Sequence, residues 1–351
     1  MATDISADDL CRNPAWHLYD LDLQRGELHF LEVTADTFRV SAFLDKRIAY
    51  TGERLHGFPL ETVAAALREH AVPTAHTGFL FHSSFCCSSL LARSLQVEGR
   101  TLVLREPWVL RRLGDLKHGL ATRGQAWYPQ GPQFLDLALH LLSKTWVPGE
   151  RVVLKPTHVA NNLAADMLKL RPQANGLLLY SSLESFLISN LKKNDDTKAK
   201  TGAMLELFVQ DTDYARRVPG VGSSSLDYLQ SQAVIWHAQM LLFRELLASE
   251  AGSRLHSLDS AVLLKRPVDA ISAAAGLIGT PLTPAEAAAV VSGPVWSTHA
   301  KDPFSSYDSA RRDAENQDIA QRHADEVHAT LRWADTLLKH APAELGRPLL
   351  P

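Results

Sequence analysis

The stretch from Thr77 to Leu95, T-G-F-L-F-H-S-S-F-C-C-S-S-L-L-A-R-S-L, constrains this chain most. Gly78 to Phe81 is a short apolar run, the pattern of a strand buried on both faces. From Ser88 onward Leu90, Leu91 and Leu95 recur at helical spacing, with serines where a helix start takes caps. Between them His82 to Cys87 form a tight loop. A strand, a loop and a helix start turn several backbone N–H groups toward one point, and the helix dipole adds positive charge there. Such a corner suits a phosphate or sulfate. Its candidate anion contacts are Ser83, Ser84, Phe85, Cys86, Cys87, Ser88 and Ser89. It is not a Walker A loop, G-x-x-x-x-G-K-[ST], because Cys87 stands at the second glycine and the lysine is missing. The plainer alternative is a strand-turn-helix corner with serine caps.

The chain has 351 residues, 46% hydrophobic and 21% charged, which is ordinary globular composition for one large domain or two modest ones. With 36 basic against 39 acidic residues, nothing in the charge calls for nucleic acid or an anionic membrane as partner. The basic pairs Arg111-Arg112, Lys192-Lys193, Arg216-Arg217 and Arg311-Arg312 are scattered and read as solvated surface. Three cysteines make no disulfide framework, and a bridge between neighbouring Cys86 and Cys87 would be strained. That usage, an acidic start without a long apolar core, and the lack of any apolar run of about 18 residues point to a cytoplasmic chain that spans no bilayer.

Residues 14 to 50 read as β structure, with strands around Trp16 to Leu23, Leu28 to Val33 and Phe38 to Leu44. Leu60 to His70 reads as a short helix, so residues 1–72 form a small β-rich flank or module. From residue 73 to 351 strands and helices alternate. Strands are expected at Thr101 to Arg105, Arg151 to Lys155, Gly176 to Ser181 and Arg254 to Leu258. Helices are expected at Phe134 to Trp146, Asn162 to Leu170, Leu183 to Lys193, Leu226 to Ser249, Val268 to Leu277, Pro281 to Val291 and Ala314 to His340. Residues 194–224 read as a polar, mobile excursion, and 293–309 as loop. The alternation predicts an α/β fold with a doubly wound, mostly parallel sheet covered by helices on both faces. Ligands of such sheets sit at the carboxyl ends of the strands, which gathers His82, Glu106, Lys155 and Ser181 on one edge.

Several separated pieces resemble the bacterial sulfotransferases. Lys155-Pro156-Thr157-His158, a helix, Pro172-Gln173-Ala174, a strand and a helix ending near Ser189 follow that family's order. So do Arg254 to Leu258, Pro267 and Gly276-Leu277-Ile278-Gly279-Thr280-Pro281. The Thr77–Leu95 stretch is placed like the family's 5′-phosphosulfate loop. The resemblance spans roughly residues 77–285. It implies a P-loop-like fold and transfer of a sulfuryl group, without a metal, from 3′-phosphoadenosine 5′-phosphosulfate to an alcohol or amine. It matches Ser88 and Ser89 to hydroxyls on the 5′-phosphate, Ser189 to the serine on the 3′-phosphate, and Lys155 and His158 to the family's Lys-His element. Phe85 stands where the family's loop has Arg or Lys, and Ser181-Ser182-Leu183 where it has Arg-Asp-Pro. A guanidinium grips phosphate through two parallel bonds and serine cannot. Either the donor differs, or a base-bearing residue elsewhere replaces that grip, with Lys192, Lys193, Lys301 and Arg311 as candidates.

Group transfer to an alcohol needs an anion cradle, a cation at the transferred group and a base on the acceptor. Lys155, ending a strand on the productive edge, is the expected cation. Glu106 is the expected base, with His158 as the alternative; against these stand a solvated lysine, a helix-start carboxylate and a helix-start histidine bonded to backbone. Cys86 and Cys87 read as small residues in a crowded turn. Trp296 to Asp302 is either a loop closing on the ligand or a linker. Two other functions stay open: a non-catalytic anion-binding protein of this fold, and a nucleotide-dependent kinase-like transferase.

Overall fold

A computed structural model describes residues 5–48, 55–69, 75–219, 221, 226–299, 302–306, 308–338 and 345–350. Strands β1 (Trp16–Asp22), β2 (Glu27–Glu32) and β3 (Leu55–Pro59) form an antiparallel sheet in the order β1-β2-β3. Strands β4 (Thr77–His82), β5 (Thr101–Arg105), β6 (Arg151–Lys155), β7 (Gly176–Tyr180) and β8 (Leu255–Asp259) form the main sheet, in the order β5-β6-β4-β7-β8. All four of its pairings are parallel. The fold is therefore the α/β class that the alternation predicts. From β4 the chain crosses to the β5 edge, returns through β6, and then passes β4 to build β7 and β8. The carboxyl end of β4 is thus the crevice where such sheets bind ligands.

Period-two alternation sorts each central strand onto two faces. Phe79, Phe81, Leu102, Leu104, Val152, Leu154, Leu178 and Tyr180 enter one core, together with the flank and the Tyr228–Ala248 helix. Leu80, Val103, Val153, Leu177 and Leu179 enter the other, packed by the Ser88–Ser94 and Pro267–Leu277 helices.

Several expectations are corrected. Phe38 to Leu44 is not a strand: Thr34 caps a helix, Ala35–Val40, through a capping box with Thr37, and local capping outweighs the alternating pattern. Only then does the chain extend, and Leu44 donates to the Arg105 carbonyl and accepts from Trp108 N–H. The excursion after residue 194 is mostly helical, with Asp195–Lys198, Thr201–Asp211 and Tyr214–Arg217. Leu205 and Phe208 bury one side of it, so its polar composition reflects only the other side. The last long helix is two, Ser309–Arg322 and Ala324–Leu338. Residues 293–309 are not all loop, since β9 (Thr298–His299) pairs with β10 (Asp302–Ser306). His70, Lys301 and residues 339–340 lie outside the described residues.

Two buried cations tie the flank to the rest of the fold through backbone carbonyls. Arg105 donates to the carbonyls of Phe38, Arg39 and Ser41. Lys144 donates to those of Leu10 (2.6 Å) and Trp16. Burial pushes Arg105 down to about 10 and Lys144 down to about 7. No helix among the described residues is long and apolar enough to cross a membrane.

Candidate active site

A cavity of about 770 Å³ opens along the carboxyl edge of the main sheet. Each of the five strands delivers something to it. His82 ends β4 and leads into Ser84 to Leu90; Glu106, Trp108 and Arg111 follow β5; Thr157 and His158 follow β6; Phe186, Asn190 and Lys193 follow β7; Leu264 and Pro267 follow β8. The corner at residues 84–89 is therefore open to a ligand rather than plugged.

The loop has an unusual backbone. Ser84, Phe85 and Cys87 take positive φ of 71°, 49° and 60°. Non-glycine residues avoid this left-handed region, so surrounding contacts must hold it. Ser83 N–H donates to the Leu179 carbonyl and Ser84 N–H to His82 Nδ1, while Cys86 Sγ reaches the Leu179 carbonyl. Ser84, Phe85, Cys86, Cys87, Ser88 and Ser89 line the cavity. Ser83 does not: it is fully buried beneath the loop. Cys86 is buried too, and its thiol is pushed up to about 12, chiefly by that burial.

Glu106 also carries a positive φ, 57°, immediately before Pro107. Its N–H donates to the Lys155 carbonyl, and its Oε1 accepts from Lys155 Nζ at 2.7 Å. Glu106 faces the cavity, whereas the Lys155 side chain is wholly buried behind it and does not. The expected cation at the transferred group thus grips the expected base instead, because strand alternation turns it beneath the surface that Glu106 reaches. His82 sits beside the pair, 3.0 Å from Lys155 Nζ and 3.9 Å from Glu106 Oε1. His158 lines the cavity with its ring stacked on Phe208, centroids 5.8 Å apart.

At the β7 side Lys193 Nζ lies 4.6 Å from the centre of the Phe85 ring, and Phe85 meets Phe186 edge-on. Burial, then the neighbouring Lys192, lowers Lys193 below an ordinary lysine. Lys200 and Arg312 line the same end, with the hydroxyl residues Thr197, Thr201 and Ser309. Among the described residues neither Lys193 nor Lys200 has a carboxylate within ion-pair distance.

Three basic pairs that read as solvated surface are each split, two of them within a helix and Lys192-Lys193 just past the end of the Leu183–Leu191 helix. Arg111, Lys193 and Arg312 line the cavity. Arg112 pairs with Asp20, Lys192 with Asn316 and Glu315, and Arg311 with Glu315. In the two helical pairs successive residues point about 100° apart, so two adjacent bases cannot share one target. Lys192 and Arg311 are thus replaced as candidates by Arg312, while Lys193 stays. Arg216 and Arg217 pair with Asp213 and Glu245, as surface residues do.

Ser189 is half-buried but does not line the cavity; Asn190 beside it does. Ser181 is fully buried under Trp236, whose Nε1 donates to its carbonyl, and Ser182 caps the following helix. Trp296 and Thr298 form part of the wall, so the described part of the late loop borders the ligand space.

The flank supplies residues that the sequence did not flag. Phe43, Asp45 and Arg47 line the cavity beside Glu106. Arg47 stacks on Phe43 at 3.9 Å, bonds Asp45, and has its Nη2 4.0 Å from Glu106 Oε2. Trp108 Nε1 donates to Asp20 of β1. Nothing local marks these residues, because their contact with Glu106 joins segments far apart in the chain.

No family model matches the chain, and no curated protein matches it. Among solved structures it is similar to the sulfotransferase domain from the curacin biosynthetic pathway, with 15% identity and a TM-score of 0.39 over 72% of this chain and 98% of that one. It is also similar to the sulfotransferase STF9 from Mycobacterium avium, with 13% identity and a TM-score of 0.37 over 93% of this chain and 97% of that one.

Proposed function

We propose that this protein is a sulfotransferase-like enzyme that moves a sulfuryl group from an anionic nucleotide, 3′-phosphoadenosine 5′-phosphosulfate, to the oxygen or nitrogen of a small acceptor. The observation that carries the reading is one cavity shared by two unlike ends. Glu106 faces it at the β5 end; Lys193 and Lys200, without carboxylate partners among the described residues, face it at the β7 end, with the residue 84–89 loop between.

A donor with phosphates at both ends of its ribose fits that charge layout. Its 3′-phosphate goes to Lys200, Arg312 and the hydroxyls of Thr197, Thr201 and Ser309. Its phosphosulfate goes to the loop, where Lys193 over Phe85 supplies the positive charge that the loop itself lacks. A desolvated ammonium gains more from an incoming anion than a hydrated one does. Glu106 takes the proton from the acceptor hydroxyl as its oxygen bonds sulfur. The bond from sulfur to the bridging oxygen breaks, and adenosine 3′,5′-bisphosphate leaves. Lys155 holds the Glu106 carboxylate in place from behind, and His158 borders the same space.

Calorimetric titration with adenosine 3′,5′-bisphosphate, ATP and GTP, with and without magnesium, tests the proposal. Binding of the bisphosphate at equal affinity with and without magnesium supports it. Binding of ATP only with magnesium favours a kinase-like enzyme, and no nucleotide binding overturns the transferase reading.

A further inference from the structure

His82 meets the loop through Nδ1, the end of β6 through Nε2 and Asn161 through its carbonyl. Its Nδ1 accepts the Ser84 N–H at 3.2 Å. Its Nε2 lies 3.1 Å from the Pro156 carbonyl and 3.0 Å from Lys155 Nζ, which in turn holds Glu106. Its own carbonyl accepts from Asn161 Nδ2 at 3.0 Å. The ring is nearly buried, with its edge on the cavity. Titratable and charged groups face it from each side: Lys155 of β6, Glu106 after β5 with Arg47 beyond it, and the His158 ring at 5.9 Å. Cys86 lies in the loop itself, its thiol kept protonated.

The bond to Ser84 is informative because Nδ1 can accept it only without a proton. The neutral ring then carries its proton on Nε2 and donates it to the Pro156 carbonyl, so the Lys155 ammonium, 3.0 Å from the same nitrogen, packs against the ring without a hydrogen bond to it. Ser84 is the first of the three left-handed residues, and this bond grips it at the point of strain. A second ring proton would set two donors against each other and release that grip.

We infer that His82 is a positioning residue that couples the donor loop to the base: in its neutral form it holds Ser84, and so the left-handed loop, in register with the Lys155–Glu106 pair. Its effect on a nucleotide rests on the proposed function; its hold on the loop does not. Asparagine places an oxygen near the position of Nδ1, glutamine near that of Nε2, and neither titrates.

The test compares adenosine 3′,5′-bisphosphate affinity at pH 8 in wild type, His82→Asn, His82→Gln and His82→Ala. His82→Ala should weaken binding about tenfold, the scale of one lost hydrogen bond. Asn, not Gln, should recover much of what Ala loses. Equal binding by the Asn and Ala variants overturns the inference. Ring-nitrogen NMR of the unliganded wild type gives an independent reading. A proton on Nε2 at pH 8 supports the inference; a proton on Nδ1 overturns it. Failure of all nucleotide binding would sink the proposed function alone, since the NMR arm still decides this one.

Discussion

The two ends of the cavity treat their cations in opposite ways. Toward β5, Lys155 is paired with Glu106, Arg47 with Asp45 and Arg111 with Asp115. Toward β7, Lys193 rests on an aromatic ring and neither it nor Lys200 has a carboxylate at ion-pair distance among the described residues, although Arg312 at that end pairs with the exposed Asp313. A paired buried ion is already compensated and has little to gain from a ligand; a cation without a carboxylate partner still lacks its countercharge. The first end is therefore built to hold a carboxylate in a set geometry, and the second to receive an anion. The positive φ of Glu106 agrees with this division, because strain persists where neighbours over-determine a functional geometry.

That contrast can be broken from either side. The largest effect is expected at Glu106. Glu106→Gln removes the base and should lower kcat by about 10²–10⁴-fold, the scale of general base catalysis. Bisphosphate affinity should change little, and comparable losses in both would show that the ends are not distinct. The double change Lys193→Ala with Lys200→Ala should do the reverse. The Kd for adenosine 3′,5′-bisphosphate should rise about ten- to a hundredfold, with a shallower salt dependence, on the scale of roughly 1.5–3 kcal/mol for a charged hydrogen bond. An unaltered Kd would remove the anion end from the proposal.

Lys155 and Lys144 sharpen the comparison, since both are buried and, among the described residues, only Lys155 has a carboxylate within ion-pair distance. Folding lowers Lys144 to about 7, against about 10.4 for an unfolded lysine. Between those values the unfolded chain binds more protons, so stability should rise as the pH rises from about 7 toward 10. Denaturant unfolding should show that slope, and Lys144→Met should flatten it. A smaller signal is expected from alkylation. Cys87, half-buried on the cavity wall, should react before buried Cys86, and bound bisphosphate should slow the reaction. Labelling unaffected by the ligand would place it elsewhere.

Much of the architecture was legible because its signals are local. The runs at Phe79 to Phe81, Leu102 to Leu104 and Leu177 to Leu179 are too apolar and too short for anything but buried strands. The loop after β4 was marked by its position between one such run and a helix start. Glu106 was reachable by reasoning from the sheet edge. The Phe38 to Leu44 segment misled because alternation competed with a cap at Thr34, and the cap won. Residues 194–217 misled because a helix that covers a cavity shows water a polar face.

The sequence by itself determined the parallel sheet, the crevice at the end of β4 and the residue types gathered there, since each follows from periodicity and turn chemistry within a few residues. Only the tertiary structure decided which member of three of the four basic pairs meets the cavity, that Lys155 stands behind Glu106, and that Phe43 and Arg47 come from the flank to stand beside it. Those outcomes depend on helix rotation and on contacts between segments tens of residues apart, set by packing rather than by local preference.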